Sequence, residues 1–512
     1  MTGTTGGNLA ALARGGSLNL VGAAVTGVAQ FALVVVVAAA YPLDVTGAFF
    51  AASSVFIILG AVGELGTDVG LGLWVPRHLA LERSRSAART VVVALVPVLV
   101  VSVVTAAVMF AAAPWIGDLI AADRAAETVT MLRLLAVFLP ISAVGNVLLS
   151  ATRGHGRMRP TVIIDRIGRP LGQIIGILVV SRFTTDPGLL GLMWALPYLP
   201  SLVAAAVVYG RLHRQATGES PPVREIAGEF WRFTSFRAVS RVCQTAFQRV
   251  DIVMIAALSS PLDAAVYTAA TRFVVFGQLS SQAVQQVMQP IVSRQLALED
   301  WPEVRETFRV TTIWSVLLAW PVYLVTAVAA PAYLLLFGDA YVSAGEVTVI
   351  ILSVAMLVAT AAGPVDTMLL MSGRSGLSLT YTVASLAVQV GLGALLIPSW
   401  GLTGAALARA AAVVARNVLS YAQVRLSMRM TPFSPGLGWA VAATSLCFAV
   451  PLLAARGLTP APAFWYAAIP PAVAVYVALL WKIRGHVALT ALSALLPRRV
   501  REASALSPVK EI

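Results

Sequence analysis

The chain is 512 residues long, 58% hydrophobic and only 12% charged, with a mean hydropathy of +0.85, which excludes a soluble enzyme carrying a single apolar anchor. Its formal charge of +13 comes with no loop in which basic residues cluster and interleave with aromatics, so nucleic acid is excluded as a partner. Two cysteines, Cys243 and Cys447, lie inside apolar stretches and four histidines show no ligand spacing, so no disulfide, metal site or cofactor is expected.

Fourteen apolar stretches follow one another at 17–40, 47–74, 90–113, 128–150, 161–180, 188–209, 234–257, 262–288, 309–330, 346–371, 377–398, 401–421, 435–455 and 463–482. A hydrocarbon core takes about 20 helical residues, roughly twice the length of a barrel strand. Lipid offers no partner to backbone polar groups, so each stretch is expected to be a helix. The predicted fold class is an all-α polytopic membrane protein with about 14 transmembrane helices. The first stretch ends in Ala38, Ala39 and Ala40, as a cleavage site would, but it is too long for a signal-peptide core and only Arg14 precedes it, so it is expected to be retained.

Arginines fall in alternate loops. Arg77, Arg83, Arg85 and Arg89 follow the second stretch, Arg153, Arg157 and Arg159 the fourth, Arg211, Arg214, Arg224 and Arg232 the sixth, Arg294 and Arg305 the eighth. The intervening loops carry Asp44, Asp118, Asp186, Asp263 and Asp339 instead. Cationic loops stay in the cytoplasm, so both termini, with the basic tail Lys482, Arg484, Arg498, Arg499 and Arg501, are expected there, in a multi-pass protein of the cell membrane.

The chain contains an internal repeat. Pro42-Leu43-Asp44 recurs as Pro261-Leu262-Asp263, Arg77-His78-Leu79-Ala80 as Arg294-Gln295-Leu296-Ala297, Ala112-Ala113-Pro114 as Ala329-Ala330-Pro331, and Gly188-Leu189-Leu190-Gly191 as Gly401-Leu402-Thr403-Gly404. Six helices return the chain to its starting side, so the halves form parallel repeats of the kind that build transporters. The predicted division is an N-terminal six-helix lobe over 1–210, a cytoplasmic linker over 211–233, a C-terminal lobe over 234–430, an added hairpin over 431–485 and a cytoplasmic tail over 486–512.

Ionisable groups inside spans are costly, and their placement points to function. Arg237, Arg241, Gln244 and Gln248 recur at helical spacing in the seventh span and Asp251 extends the row, which places all five on one face. Helix-to-helix bonding is the alternative to a hydrated cavity there. Gln278, Gln282, Gln285 and Gln289 form a second row in the eighth span, and carboxamides donate to and accept from sugar hydroxyls without the cost of a charge. Arg166 and Arg169, with Gln173 four residues on, add a cationic patch in the fifth span; an Asp165–Arg169 pair would instead be structural. Glu64 and Asp68, four apart on the second span, and Asp251 and Asp366 are candidates for ion coupling. No nucleophile with a base and no phosphate-cradling loop is present, so no catalytic residue is expected.

The Pro-Leu-Asp turn, the Phe337-Gly338-Asp339-Ala340-Tyr341 segment and the run from Trp400 to Leu407 resemble the polysaccharide-transporter branch of the multidrug/oligosaccharidyl-lipid/polysaccharide exporter superfamily. The resemblance covers essentially the whole chain and implies a flippase for a polyprenyl-diphosphate-linked oligosaccharide, with membrane lipids and a glycosyltransferase or glycan polymerase as partners. It also places Arg272 where the lipid II branch carries a cavity arginine; guanidinium offers diphosphate a bidentate fork. The first span carries Asn19 and Gln30 and no arginine, which departs from that branch and favours another glycolipid. A multidrug exporter of the same superfamily would be expected to stop near twelve spans with acidic cavity residues. A membrane glycosyltransferase or polymerase would carry a large external loop.

Overall fold

The computed structural model describes residues 4–214, 217, 221–458 and 462–488, with side chains from residue 22 onward apart from 462–464. Part of the 211–233 linker and most of the tail, including Arg498, Arg499 and Arg501, lie outside the described residues, as does the side chain of Asn19. Every regular element among the described residues is helical, as the apolar patterning dictates.

In chain order the helices are α1 (Thr4–Ala40), α2 (Leu43–Glu64), α3 (Thr67–Ala80), α4 (Ser84–Ile120), α5 (Ala125–Gly154), α6 (Arg169–Val180), α7 (Pro187–Ala195), α8 (Tyr198–His213), α9 (Val223–Leu258), α10 (Pro261–Thr271), α11 (Phe273–Ala297), α12 (Trp301–Val328), α13 (Ala330–Leu335), α14 (Asp339–Ala361), α15 (Val365–Met371), α16 (Ser375–Met428), α17 (Pro435–Thr444), α18 (Val450–Leu458) and α19 (Pro462–Lys482). A π-helical turn, Thr161–Gly168, leads into α6, and a second, Ser445–Ala449, joins α17 to α18. Ten helical segments among the described residues are long and apolar enough to cross a bilayer. One of them, α16, has 54 residues, about 80 Å of helix, far more than one crossing needs, and it kinks at Gly401 (φ 49°, ψ −126°). The predicted spans at 161–180, 234–257 and 262–288 are helical but fall outside that apolar set. Those three carry the arginine and glutamine rows.

The chain divides into two compact units. The first comprises Met1–Arg272, Leu334–Leu352 and Leu379–Ala412, and the second Phe273–Tyr333, Ser353–Ser378 and Val413–Ile512, so each gathers segments from both halves of the sequence repeat.

Within the first unit both copies of Pro-Leu-Asp open a helix. Pro42 caps α2, while Ser260 caps α10 by accepting from the Asp263 backbone N–H. The two helices then pack through small residues: Ala48, Ala51 and Ala52 of α2 and Ala264, Ala265, Ala269 and Ala270 of α10 are all buried. Where lipid supplies no hydrophobic drive between helices, such residues gain stability from close van der Waals approach. The approach is closest at Gly47, where a Cβ would overlap the Pro261 carbonyl oxygen. A separate cluster around Leu71, Val75, Val91, Val147, Ala205 and Phe230 joins α3, α4, α5, α8 and α9.

In the second unit, Val316 and Leu324 of α12, Ala440 of α17, Phe448 and Tyr476 of α19 form one core. The Tyr476 hydroxyl donates to the Leu317 carbonyl (2.8 Å), satisfying a buried polar atom inside it.

The arginine asymmetry makes a sidedness prediction. Ser343, exposed near the start of α14, is expected to label only from outside after Ser343→Cys, and Ser220→Cys in the linker only from inside. Labelling from one side at both positions would overturn the parallel-repeat topology.

Candidate functional site

Helix α9 is continuous for 36 residues, so the spacing of its polar row is preserved in three dimensions. Arg241, Gln244 and Gln248 are exposed along one face, within a stretch predicted to cross the membrane. Arg237, one turn earlier, is half-buried with its guanidinium 5.7 Å from the Phe233 ring centroid.

Asp251, which continues that row, meets a different environment. It is buried, at 5% exposure, and its Oδ2 accepts from Nη1 of Arg409 (2.9 Å) and from the hydroxyl of Tyr267 (2.8 Å). The same Arg409 Nη1 donates to the Phe247 carbonyl (2.8 Å), and the guanidinium lies 5.3 Å from the Phe247 ring centroid. The result is an ion pair joining α9, α10 and α16 within the first unit, with the carboxylate held away from the Arg241–Gln248 face.

Glu64 and Asp68 do not share a helical face. The spacing of four predicts one, but the chain leaves α2 at Leu65 (φ 51°) and Gly66 (φ 67°) before α3 begins. At Gly66 a Cβ would come within 2.6 Å of the Ala238 backbone nitrogen, so the break is fitted closely to α9. Glu64 Oε1 accepts from the Asn146 side-chain amide (2.5 Å), and Asp68 sits in the first turn of α3.

In the fifth predicted span, Arg169 bonds Asp165 (2.8 Å) and the Tyr198 hydroxyl (2.6 Å), with its guanidinium 4.9 Å from the Tyr198 ring centroid. Gln173 is buried and donates to the Trp194 carbonyl (2.9 Å). This is the structural alternative for that pair of residues: both tie α6 to neighbouring helices. Arg166 is half-buried on the π-helical turn. Nearby, Ile163, Gly172, Leu196, Pro197 and Ser201 line a cavity of about 390 Å³, too apolar to hold a charged headgroup.

Arg272 links α10 to α11. Its Nε donates to the Thr268 carbonyl (3.0 Å), which folds the half-buried side chain back along α10. In the second unit, Gln278, Gln282 and Gln289 are exposed on α11, whereas Gln285 Oε1 accepts from the Thr367 hydroxyl (2.9 Å). Asp366 accepts from Ser378 (2.5 Å) and from Arg416 (3.0 Å).

Arg409 and Arg416 are functional residues that the sequence analysis missed. Their signal is present, since two arginines seven apart stand in a run otherwise made of alanine, valine, leucine and asparagine. Asn146 and Tyr198, which bond Glu64 and Arg169, carry no comparable signal.

Helices of membrane-crossing length, polar rows on their interrupted members and internally paired charges define a polytopic membrane protein of transporter architecture. A family model described as polysaccharide biosynthesis protein matches residues 48–346, and the chain belongs to that family. Among solved structures, the lipid II flippase MurJ in an inward closed conformation is similar over 91% of this chain and 98% of its own, at 10% identity and a TM-score of 0.69. A multidrug resistance MATE family transporter of the MOP superfamily, inward-facing, is similar over 79% and 94%, at 17% identity and a TM-score of 0.60. A MOP superfamily transporter from Pyrococcus furiosus, described as having a binding pocket of reverse polarity, is similar over 82% and 95%, at 17% identity and a TM-score of 0.56. The fold is thus that of the MOP transporters. No curated protein sequence matches the chain.

Proposed function

We propose that the protein is a flippase that moves a polyprenyl-diphosphate-linked oligosaccharide from the cytoplasmic to the outer leaflet of the cell membrane for cell-surface polysaccharide synthesis, by alternating access between its two six-helix repeats. Both termini are cytoplasmic in this reading, and glycosyltransferases or a polymerase act beside it. The observation that carries it is the exposed Arg241–Gln244–Gln248 face of α9 in a chain of the polysaccharide biosynthesis family. A guanidinium suits diphosphate oxygens and carboxamides suit sugar hydroxyls. Arg237 and Arg272, half-buried, and Arg166 are further cationic candidates; Glu64 and Asp68 are candidates for ion coupling.

A multidrug exporter is the second reading, favoured by the MATE-like fold. Complementation of a strain lacking its own oligosaccharide flippase separates the two: restored surface glycan supports the flippase, and drug resistance without surface glycan supports the exporter.

The glutamine row yields a graded expectation. Gln285 is bonded to Thr367, so Gln285→Ala is expected to lower export of two different lipid-linked glycans equally. Exposed Gln282 has its amide available for cargo, and Gln282→Ala is expected to lower one more than the other. Equal losses for both variants would assign the whole row to packing.

A further inference from the structure

We infer that Arg409 is a tethered counter-cation: it fills, with a covalently held charge, an oxygen-lined position beside Asp251 that a free monovalent cation would otherwise take, and so removes Asp251 from ion coupling. The inference deepens the transporter reading but does not depend on which cargo is carried.

The geometry supports this atom by atom. Nη1 of Arg409 lies 2.8 Å from the Phe247 carbonyl and 2.9 Å from Asp251 Oδ2, so one nitrogen is cradled by two oxygens of α9. Tyr267 adds its hydroxyl oxygen at 2.8 Å from the same Oδ2. A carboxylate, a carbonyl and a hydroxyl converging on one point are the hard oxygen donors that bind alkali and alkaline-earth cations. Arg409 comes from α16, whereas the oxygens belong to α9 and α10. The carboxylate side chain is 6% exposed and that of Arg409 15%, so neither charge is screened by water and each needs the other.

Had the arginine been an apolar residue, Asp251 would stand buried without a positive charge, and only a proton or a metal cation could neutralise it. A guanidinium stays charged at any accessible pH and cannot leave. The site therefore cannot load and release an ion while Arg409 is seated. Ion binding at Asp251, expected from its position in a span, is thus replaced by a permanent internal pair.

The test uses the full-length protein purified in detergent, melted in sodium chloride and in choline chloride at equal ionic strength. Wild type is expected to melt at the same temperature in both. Arg409→Ala is expected to melt about 5 °C or more lower in choline, and to recover part of that loss in sodium chloride. Asp251→Asn in the Arg409→Ala background removes the orphan charge and is expected to abolish the sodium effect. A purely structural pair predicts instead that Arg409→Ala is destabilised equally in both salts, and that result overturns the inference. A sodium-dependent shift in wild type that Asp251→Asn abolishes overturns it equally, and needs no Arg409 variant to fold. Because melting reports no transport, failure here is separate from failure of complementation.

Discussion

Arg241→Ala is expected to abolish export of the lipid-linked glycan while leaving the protein in the membrane at its normal level. The energetics make the two readouts separable. An arginine at the centre of a membrane helix costs about 2.5–3.5 kcal/mol on insertion, and Arg241 is exposed, so its removal takes away no internal contact that holds the fold. What it loses is a charge-assisted bond to phosphate, worth about 1.5–3 kcal/mol, which corresponds to a fall in export of roughly 10- to 100-fold. Arg241→Lys keeps the charge but not the planar fork and is expected to recover only part of the rate. Arg85→Ala, in the loop before α4, is the matched control and is expected to export normally. Glycan export and membrane abundance measured together check the claim; wild-type export by Arg241→Ala would remove α9 from the cargo path.

Gly47→Ala is expected to have the largest effect on folding of any single methyl group added to the chain. A Cβ at position 47 would overlap the Pro261 carbonyl oxygen and come within 3.1 Å of the Ala265 nitrogen, so it meets backbone on α10, which cannot rotate away as a side chain can. Overpacking in a tight core costs about 1–3 kcal/mol, more where backbone must move. The variant should be recovered in reduced yield and melt well below wild type. Gly72→Ala, on α3, meets nothing within 4 Å and should be indistinguishable from wild type. Size-exclusion profiles and melting curves of the two variants give the comparison, and equal behaviour would mean that α2 and α10 do not approach as described.

The helices and their approximate limits were legible because lipid imposes one solution on apolar runs of about 20 residues. The rows on α9 and α11 were legible too, since a continuous helix preserves spacing. Spacing misled at Glu64 and Asp68 because the helix breaks between them at Leu65 and Gly66, and leucine gives no warning of a left-handed backbone. It also could not report that the end of the α9 row is covered. The partner of Asp251 is Arg409, 158 residues further along, and a periodicity within one helix carries no information about a residue on another. Arg169 illustrates the same limit, because its bond to Asp165 was readable four residues away whereas its bond to Tyr198, 29 residues away, was not.

The distance along the chain between Asp251 and Arg409 has a consequence for synthesis. Ribosomes add about 5–20 residues per second, so the 158 residues that separate the partners take roughly 8–30 s to appear. Throughout that interval Asp251 has entered the bilayer on a segment that also carries Arg237, Arg241 and Arg249, each unfavourable to partition alone. Helix α2, made earlier, is already available to shelter α9, and α10 follows at once with Tyr267; only the guanidinium is late. Biogenesis must therefore hold a half-built helical assembly at the translocon, with one uncompensated carboxylate, until the second part of α16 is delivered to neutralise it.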